Sequence, residues 1–154
     1  MKTSQIALAL AAFSIATPCT LSWGEEPAKP AAPAEEAAKA LQGTWEGVEV
    51  GREGAGKCTL TISGNTLHFQ GAVPAEWYKG TFELPAGTDP KQLLGLVKEC
   101  PFEQAIGKTA IAIYKIEDGK LTLVGHPPGA PEAPRGFEGD ELSRTFTLTK
   151  VPAK

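Results

Sequence analysis

Histidine, cysteine, serine and clustered acids are the side chains that most often do chemistry, and this chain holds few of them in a useful arrangement. Two histidines, His68 and His126, occur in its 154 residues. A zinc site needs Cys, His or carboxylate ligands converging at short, regular spacing. Neither histidine has such neighbours, so no metal and no cofactor are expected. Ser63 and Ser143 have no histidine placed to activate them, so no catalytic residue is assigned and the chain is read as a non-enzyme. Glu138, Asp140 and Glu141 form an acidic cluster, read as a solvated loop. Gly51, Gly54 and Gly56 in VGREGAGK look superficially like a phosphate loop, but a strand follows them, and the helix N-terminus that such a loop needs is missing. What remains is binding chemistry. Arg144 is suited to a carboxylate, while Tyr78 and Tyr114 each carry one hydroxyl on an apolar ring.

Those side chains act only where the backbone aims them. From Trp45 onward apolar residues recur with a period of two, which predicts eight strands at about 43–50, 57–63, 66–71, 77–84, 92–99, 109–117, 120–125 and 143–151. Gly (17) and Pro (13) punctuate them, favouring a turn-rich β protein over a helical one. Ser63-Gly64-Asn65 and Glu117-Asp118-Gly119-Lys120 read as tight hairpins, Asp-Gly being suited to the positive φ angles of a type I′ turn. PAGTDP, at 85–90, is a longer loop at the same end. The other connections, 51–56, 72–76, 100–108 and 126–142, are longer still. In an up-and-down meander the odd and even connections lie at opposite ends, so the three shorter turns close the bottom and the long loops surround a mouth.

Alternation supplies the inward face. Cys58, Leu60 and Ile62 oppose Lys57, Thr59 and Thr61, and Phe146 and Leu148 oppose Thr145, Thr147 and Thr149. Tyr78, Phe82 and Leu84 oppose Lys79, Thr81 and Glu83. One apolar face and one wet face are expected of a closed antiparallel barrel or a two-sheet sandwich. Arg144 shares the parity of Phe146 and falls at the mouth. The pattern is less clear for Leu93-Leu94-Gly95-Leu96-Val97, which is apolar on both faces, and for 109–117, where Ile111 and Ile113 compete with Ala110, Ala112, Tyr114 and Ile116. Trp45 and Val48/Val50 also disagree in parity, and a bulge at Gly47 is expected to reconcile them.

Gly43-x-Trp45 at the start of an eight-strand meander resembles the lipocalin opening motif. The wider set is similar to a lipocalin-like domain family of unknown function abundant in secreted proteins of planctomycetes. That set comprises Leu41-Gln42-Gly43-Thr44-Trp45, Gly107-Lys108-Thr109 before Ile113-Tyr114, Pro127-Pro128-Gly129, and a final Thr/Leu/Lys strand. The match spans about residues 41–151. It implies an all-β fold, a small eight-stranded antiparallel up-and-down (lipocalin-like) barrel, and an exported protein, but no activity. In a closed meander the first and last strands pair, which sets Lys150 beside Trp45; a cation over the indole contributes about 0.5–2 kcal/mol. This resembles the basic residue that covers the lipocalin Trp, and the pair is read as a structural plug.

The N-terminus reads as a secretory signal, residues 1–24: Lys2, an apolar run from Ile6 to Ala16, then small residues. Cleavage after Gly24 fits best, with cleavage after Ala16 as the alternative, and Pro18 beside Cys19 argues against a lipoprotein. Residues 25–40 are a Pro/Ala-rich tether in which 35–41 can form a short helix that plugs one end. The domain is 41–154. The chain is therefore expected to be secreted or periplasmic, with no transmembrane segment in the mature protein. Cys58 and Cys100 remain as an even pair in an oxidising compartment and are expected to form a disulfide across the mouth. A formal charge of −3 gives no basic field for nucleic acid. Two functional readings stand. One is a barrel that binds a small apolar or anionic ligand at its mouth through Arg144, Tyr78 and Tyr114. The other is a structural or interaction protein of the envelope, partner unknown, with a filled core.

Overall fold

Each strand of this chain is paired with the next in sequence, and an alternating chain of that kind buries its apolar face by rolling into a meander. The computed structural model describes residues 32–53 and 56–153. The expected signal, Cys19 and the start of the tether lie outside the described residues. The elements are α1 (Ala32–Leu41), β1 (Gly43–Val50), β2 (Lys57–Ser63), β3 (Thr66–Gln70), β4 (Trp77–Glu83), β5 (Gln92–Glu99), β6 (Thr109–Glu117), β7 (Lys120–Gly125) and β8 (Arg144–Lys150). A turn of 3-10 helix, Glu103–Ala105, lies between β5 and β6. All neighbours are antiparallel and β1 pairs with β8, so the sheet is a closed eight-stranded barrel. The turn between β6 and β7 is of the expected kind, with positive φ at Asp118 (52°) and Gly119 (71°).

The bottom of the barrel is stoppered. Leu41, at the end of α1, is fully buried, and the Trp45 indole N–H donates to the Leu41 carbonyl at 2.8 Å. Gln42 ties the same end to the β2–β3 turn: its amide nitrogen donates to the Gly64 carbonyl at 2.9 Å, and its carbonyl accepts from the Gly64 N–H at 2.7 Å. The helix runs from Ala32 to Leu41, so it includes the short helix expected at 35–41 and begins three residues earlier within the expected tether. Trp45 pairs in register with Lys150, whose ammonium lies 5.4 Å from the indole centroid. Gly43 has φ of 110°, a conformation that side chains resist, and a Cβ there would press on Lys150 at 3.2 Å. The glycine of the Gly-x-Trp motif thus leaves room for the cation that covers the Trp.

One expectation is corrected. There is no register break in β1, whose pairing with both β2 and β8 runs unbroken through Gly47. Trp45, Gly47 and Glu49 share one parity and Val48 and Val50 stand exposed on the other. A Cβ at Gly47 would come within 1.9 Å of the Thr147 carbonyl oxygen, so glycine serves close strand approach there and not a bulge. A register shift occurs instead between Lys79 and Gly80 on β4.

The ambiguity of β6 also resolves. Ala112 and Tyr114 belong to the central core, whereas Ile113 and its register partner Val124 are fully buried without being part of it. They face outward, under the 126–142 loop. That loop bonds to the wall through His126 N–H to the Ile111 carbonyl and Gly129 N–H to the Thr109 carbonyl, both at 3.0 Å. Phe137 lies against Lys115, the next outward residue after Ile113, with the ammonium 5.1 Å from the ring centroid. Both faces of β6 are apolar because both are covered.

Candidate functional site at the barrel mouth

The two halves of the interior differ in side-chain bulk. Toward the bottom, Trp45, Ile62, Leu121 and Leu148 fill the space and are almost wholly buried. Toward the mouth, the inward positions of β4, β5 and β6 carry Gly80, Gly95, Ala110 and Ala112, and a cavity of about 180 Å³ results. Leu60, Phe69, Leu93, Leu123 and Phe146 supply its apolar walls. His126, Pro127 and Pro128, which open the 126–142 loop, line it from the mouth side, and Tyr78, Lys79, Thr81 and Arg144 are its other polar residues. Gly80 is held to glycine by the fold as well as by the cavity, since a Cβ there would fall 1.8 Å from the Leu96 carbonyl oxygen.

Arg144 points inward as its parity requires, with its guanidinium 5.2 Å from the Phe146 centroid. It is not free for an anion, however. Nε and Nη2 donate to the two carboxylate oxygens of Glu49 at 2.8 and 2.7 Å, and Nη1 pairs with Glu76. A two-point bond to one carboxylate and a further pair with a second satisfy the fork of the guanidinium, and the three side chains sum to one negative charge. The hydrogen bond from Arg144 holds the Glu49 carboxyl below its ordinary range, against the opposing effect of burial. The same bonds hold Arg144 firmly protonated. The expectation of a free anion anchor is therefore replaced by a clamp joining β1, β8 and the 72–76 loop.

The tyrosines separate. Tyr78 lines the cavity and stacks between Phe69 and Phe102, with centroids 6.3 and 6.1 Å away. Burial pushes its hydroxyl pKa up. Tyr114 lies lower on β6, its N–H bonded to the Lys91 carbonyl of the β4–β5 loop, and is packed in the core away from the cavity lining. It is a core residue and not a mouth anchor.

The expected disulfide is absent, and Cys58 and Cys100 are free thiols. Cys58 points into the core, where burial pushes its thiol pKa up. Cys100 is turned onto its own loop, its Sγ 3.1 Å from the Phe102 carbonyl. β3 and β4 stand between their strands.

Sequence reasoning found the inward arginine but missed its partners. Glu49 carries the parity of Trp45, a signal that was masked by the apolar Val48 and Val50 beside it. Glu76 sits in a loop, where parity gives no guidance. His126, the first residue of the 126–142 connection, is held at both ring nitrogens. Nδ1 lies 2.8 Å from the Glu132 carbonyl, and Nε2 lies 2.9 and 3.1 Å from the Asp140 carboxylate oxygens. Asp140 also accepts from the N–H groups of Leu142 and Ser143. Ser143, Asp140 and His126 thus meet, but not as a hydrolase triad: the Ser143 hydroxyl bonds to the Asp140 backbone, and the second imidazole nitrogen is spent on a carbonyl. No group of three or more potential metal ligands converges among the described residues, and none of their helices is long and apolar enough to cross a membrane.

Fold and site together define a class: a closed antiparallel meander, plugged at one end and holding a small apolar cavity at the other. No family model matches the chain, and no curated protein matches it. The functional reading accordingly rests on the geometry.

Proposed function

We propose that this protein is an exported, lipocalin-like binding module that takes up a small, neutral, apolar molecule in the upper half of its barrel. The observation that carries the reading is the cavity of about 180 Å³ lined by Gly80, Gly95, Ala110 and Ala112. A dry apolar cavity of about 150 Å³ accepts benzene, so this volume suits a single ring with small substituents and is too small for haem or a long acyl chain. Eight-stranded barrels stand at the size where side chains either fill the interior or leave space for one small ligand. The apolar walls favour an uncharged ligand, and the clamp supports the same preference. Arg144 is already paired with Glu49 and Glu76, so an anion entering beside it must compete with two carboxylates for the guanidinium. Tyr78 is the rim group placed to orient a ligand hydroxyl.

The test is a pair of ligand series measured by calorimetry or ligand-observed NMR. Along benzene, toluene, naphthalene and anthracene, binding is expected to be saturable for the single rings and lost for the largest. Between benzyl alcohol and benzoate, the neutral compound is expected to bind at least tenfold more tightly, which corresponds to about 1.4 kcal/mol. Tighter binding of benzoate, or no saturable binding of any member, overturns the reading. The export assignment is checked separately: protein recovered from the native host is expected to begin near Glu25 or Thr17, and an intact Met1 on envelope protein contradicts it.

A further inference from the structure

We propose that the Tyr78 hydroxyl is the one polar side-chain contact open to a ligand in the cavity, and that the ligand class is a small aromatic ring bearing a single uncharged hydroxyl, of the alkylphenol kind. The inference rests on the cavity reading above and narrows it. It follows from what each polar side chain around the cavity already does. Five such side chains line it: Tyr78, Lys79, Thr81, His126 and Arg144. The guanidinium of Arg144 is spent on Glu49 and Glu76. Both ring nitrogens of His126 are turned to the 126–142 loop, Nδ1 to the Glu132 carbonyl at 2.8 Å and Nε2 to the Asp140 carboxylate at 2.9 Å. On β4, Tyr78 and Phe82 share the inward parity and pack on the core, so Lys79 and Thr81 stand on the outer face. Lys79 places its ammonium over the ring of Trp77, 5.3 Å from the centroid. Tyr78 alone combines an inward position with a hydroxyl that makes no hydrogen bond among the described residues. No side-chain oxygen among those residues is both fully buried and unpartnered, so this hydroxyl borders open space.

The walls beside that hydroxyl favour a flat ring. Phe69, Tyr78 and Phe146 all line the cavity, Tyr78 lying 6.3 Å from Phe69, which meets Phe146 edge to face at 5.1 Å. An aromatic guest gains offset and edge-to-face contacts with such a wall that a saturated ring of the same size lacks. Leu60, Leu93, Leu123 and Ala112 carry no hydrogen-bonding side chain, so a second polar group at the far end of the ring would be buried unpaired. An alkyl group suits that end and a hydroxyl suits the end at Tyr78. Burial pushes the Tyr78 hydroxyl pKa up, which keeps it a neutral group able both to donate to and to accept from a ligand oxygen.

Three probes separate the hydroxyl from the ring: p-cresol, toluene and 4-methylcyclohexanol, each titrated calorimetrically into the full native chain, Tyr78→Phe and Tyr114→Phe. Phenylalanine at 78 keeps the ring against Phe69 and Phe102 and removes only the oxygen, so the urea midpoint is expected to stay close to native. In the native chain p-cresol is expected to bind several-fold more tightly than 4-methylcyclohexanol, which keeps the hydroxyl and the methyl group but lacks the aromatic faces. Tyr78→Phe is expected to weaken p-cresol about tenfold and to leave toluene within about twofold of native. Tyr114→Phe, whose residue lies away from the cavity lining, is expected to change neither. Equal p-cresol affinity in the native chain and Tyr78→Phe, an equal loss for toluene in that variant, or a comparable p-cresol loss in Tyr114→Phe overturns the role of Tyr78. Binding of 4-methylcyclohexanol as tight as that of p-cresol overturns the aromatic preference. Either of those results with saturable toluene binding by the native chain leaves the cavity reading standing, whereas no saturable binding of any of the three probes overturns both.

Discussion

Arg144 shows how far a single residue can be read from its position in a strand. Its parity with Phe146 correctly aimed it into the barrel, but parity says nothing about what already occupies the space it enters. Glu49 and Glu76 are there, and their side chains are only 10% and 18% exposed. Removing Arg144 leaves both carboxylates short of a partner in a half-dry site. Arg144→Ala is expected to cost about 2–3 kcal/mol of stability, read from urea midpoints, while leaving the affinity for a neutral single-ring ligand within a few-fold of native. The clamp also has a pH signature. Glu49 titrates below its ordinary value when folded, so its contribution is fully present above about pH 4.3 and is lost as pH falls through the depressed folded value. Stability measured from pH 6 down to 2.5 should fall less steeply in Glu49→Gln than in the native chain, and an unchanged slope contradicts the pairing. The cysteines make a sharper contrast with the sequence reading. An even pair in an export-type chain suggested a bridge, yet one thiol faces the core and the other its own loop. Thiol titration of the unfolded, unreduced protein is expected to find both Cys58 and Cys100 reactive, with Cys58 protected in the native state.

Among the elements, the eight strands were legible nearly to the residue because each hairpin announces itself locally through its turn residues and its alternation. β1 and β6 were harder, and for different physical reasons. In β1, two valines face solvent on a strand whose inward positions are Trp45, a glycine and an acid, so hydrophobicity alone points the wrong way. In β6, the 126–142 loop folds down over the outer wall and buries Ile113 beneath it, and no alternation survives on a strand that is covered twice. Glycine at position 47 is the clearest consequence of closure. Its absent Cβ is what lets β1 approach Thr147 on β8, so Gly47→Ala must push the two closing strands apart. The expected cost is about 2–3 kcal/mol by thermal or urea unfolding, against less than about 0.5 kcal/mol for an alanine at exposed Thr149 on the partner strand β8. Equal effects at the two positions contradict the close approach.

At the scale of the whole molecule, topology follows from the order of short connections, but volume does not. A cavity is the difference between the space that eight strands enclose and the side chains that enter it, and that difference depends on registers and on the Lys79/Gly80 shift, which alternation does not reveal. The small residues at 80, 95, 110 and 112 matter because closure brings them to one level of the barrel. Filling that level should abolish binding without harming the fold. The most direct measurement is a toluene titration of the native chain beside Ala112→Leu, which places an isobutyl group where the cavity is lined by a methyl. Saturable binding by the native chain, with binding lost in an Ala112→Leu protein whose urea midpoint is no lower than native, is the predicted result; equal binding by both proteins, or no saturable binding by the native chain, contradicts a ligand site inside the barrel.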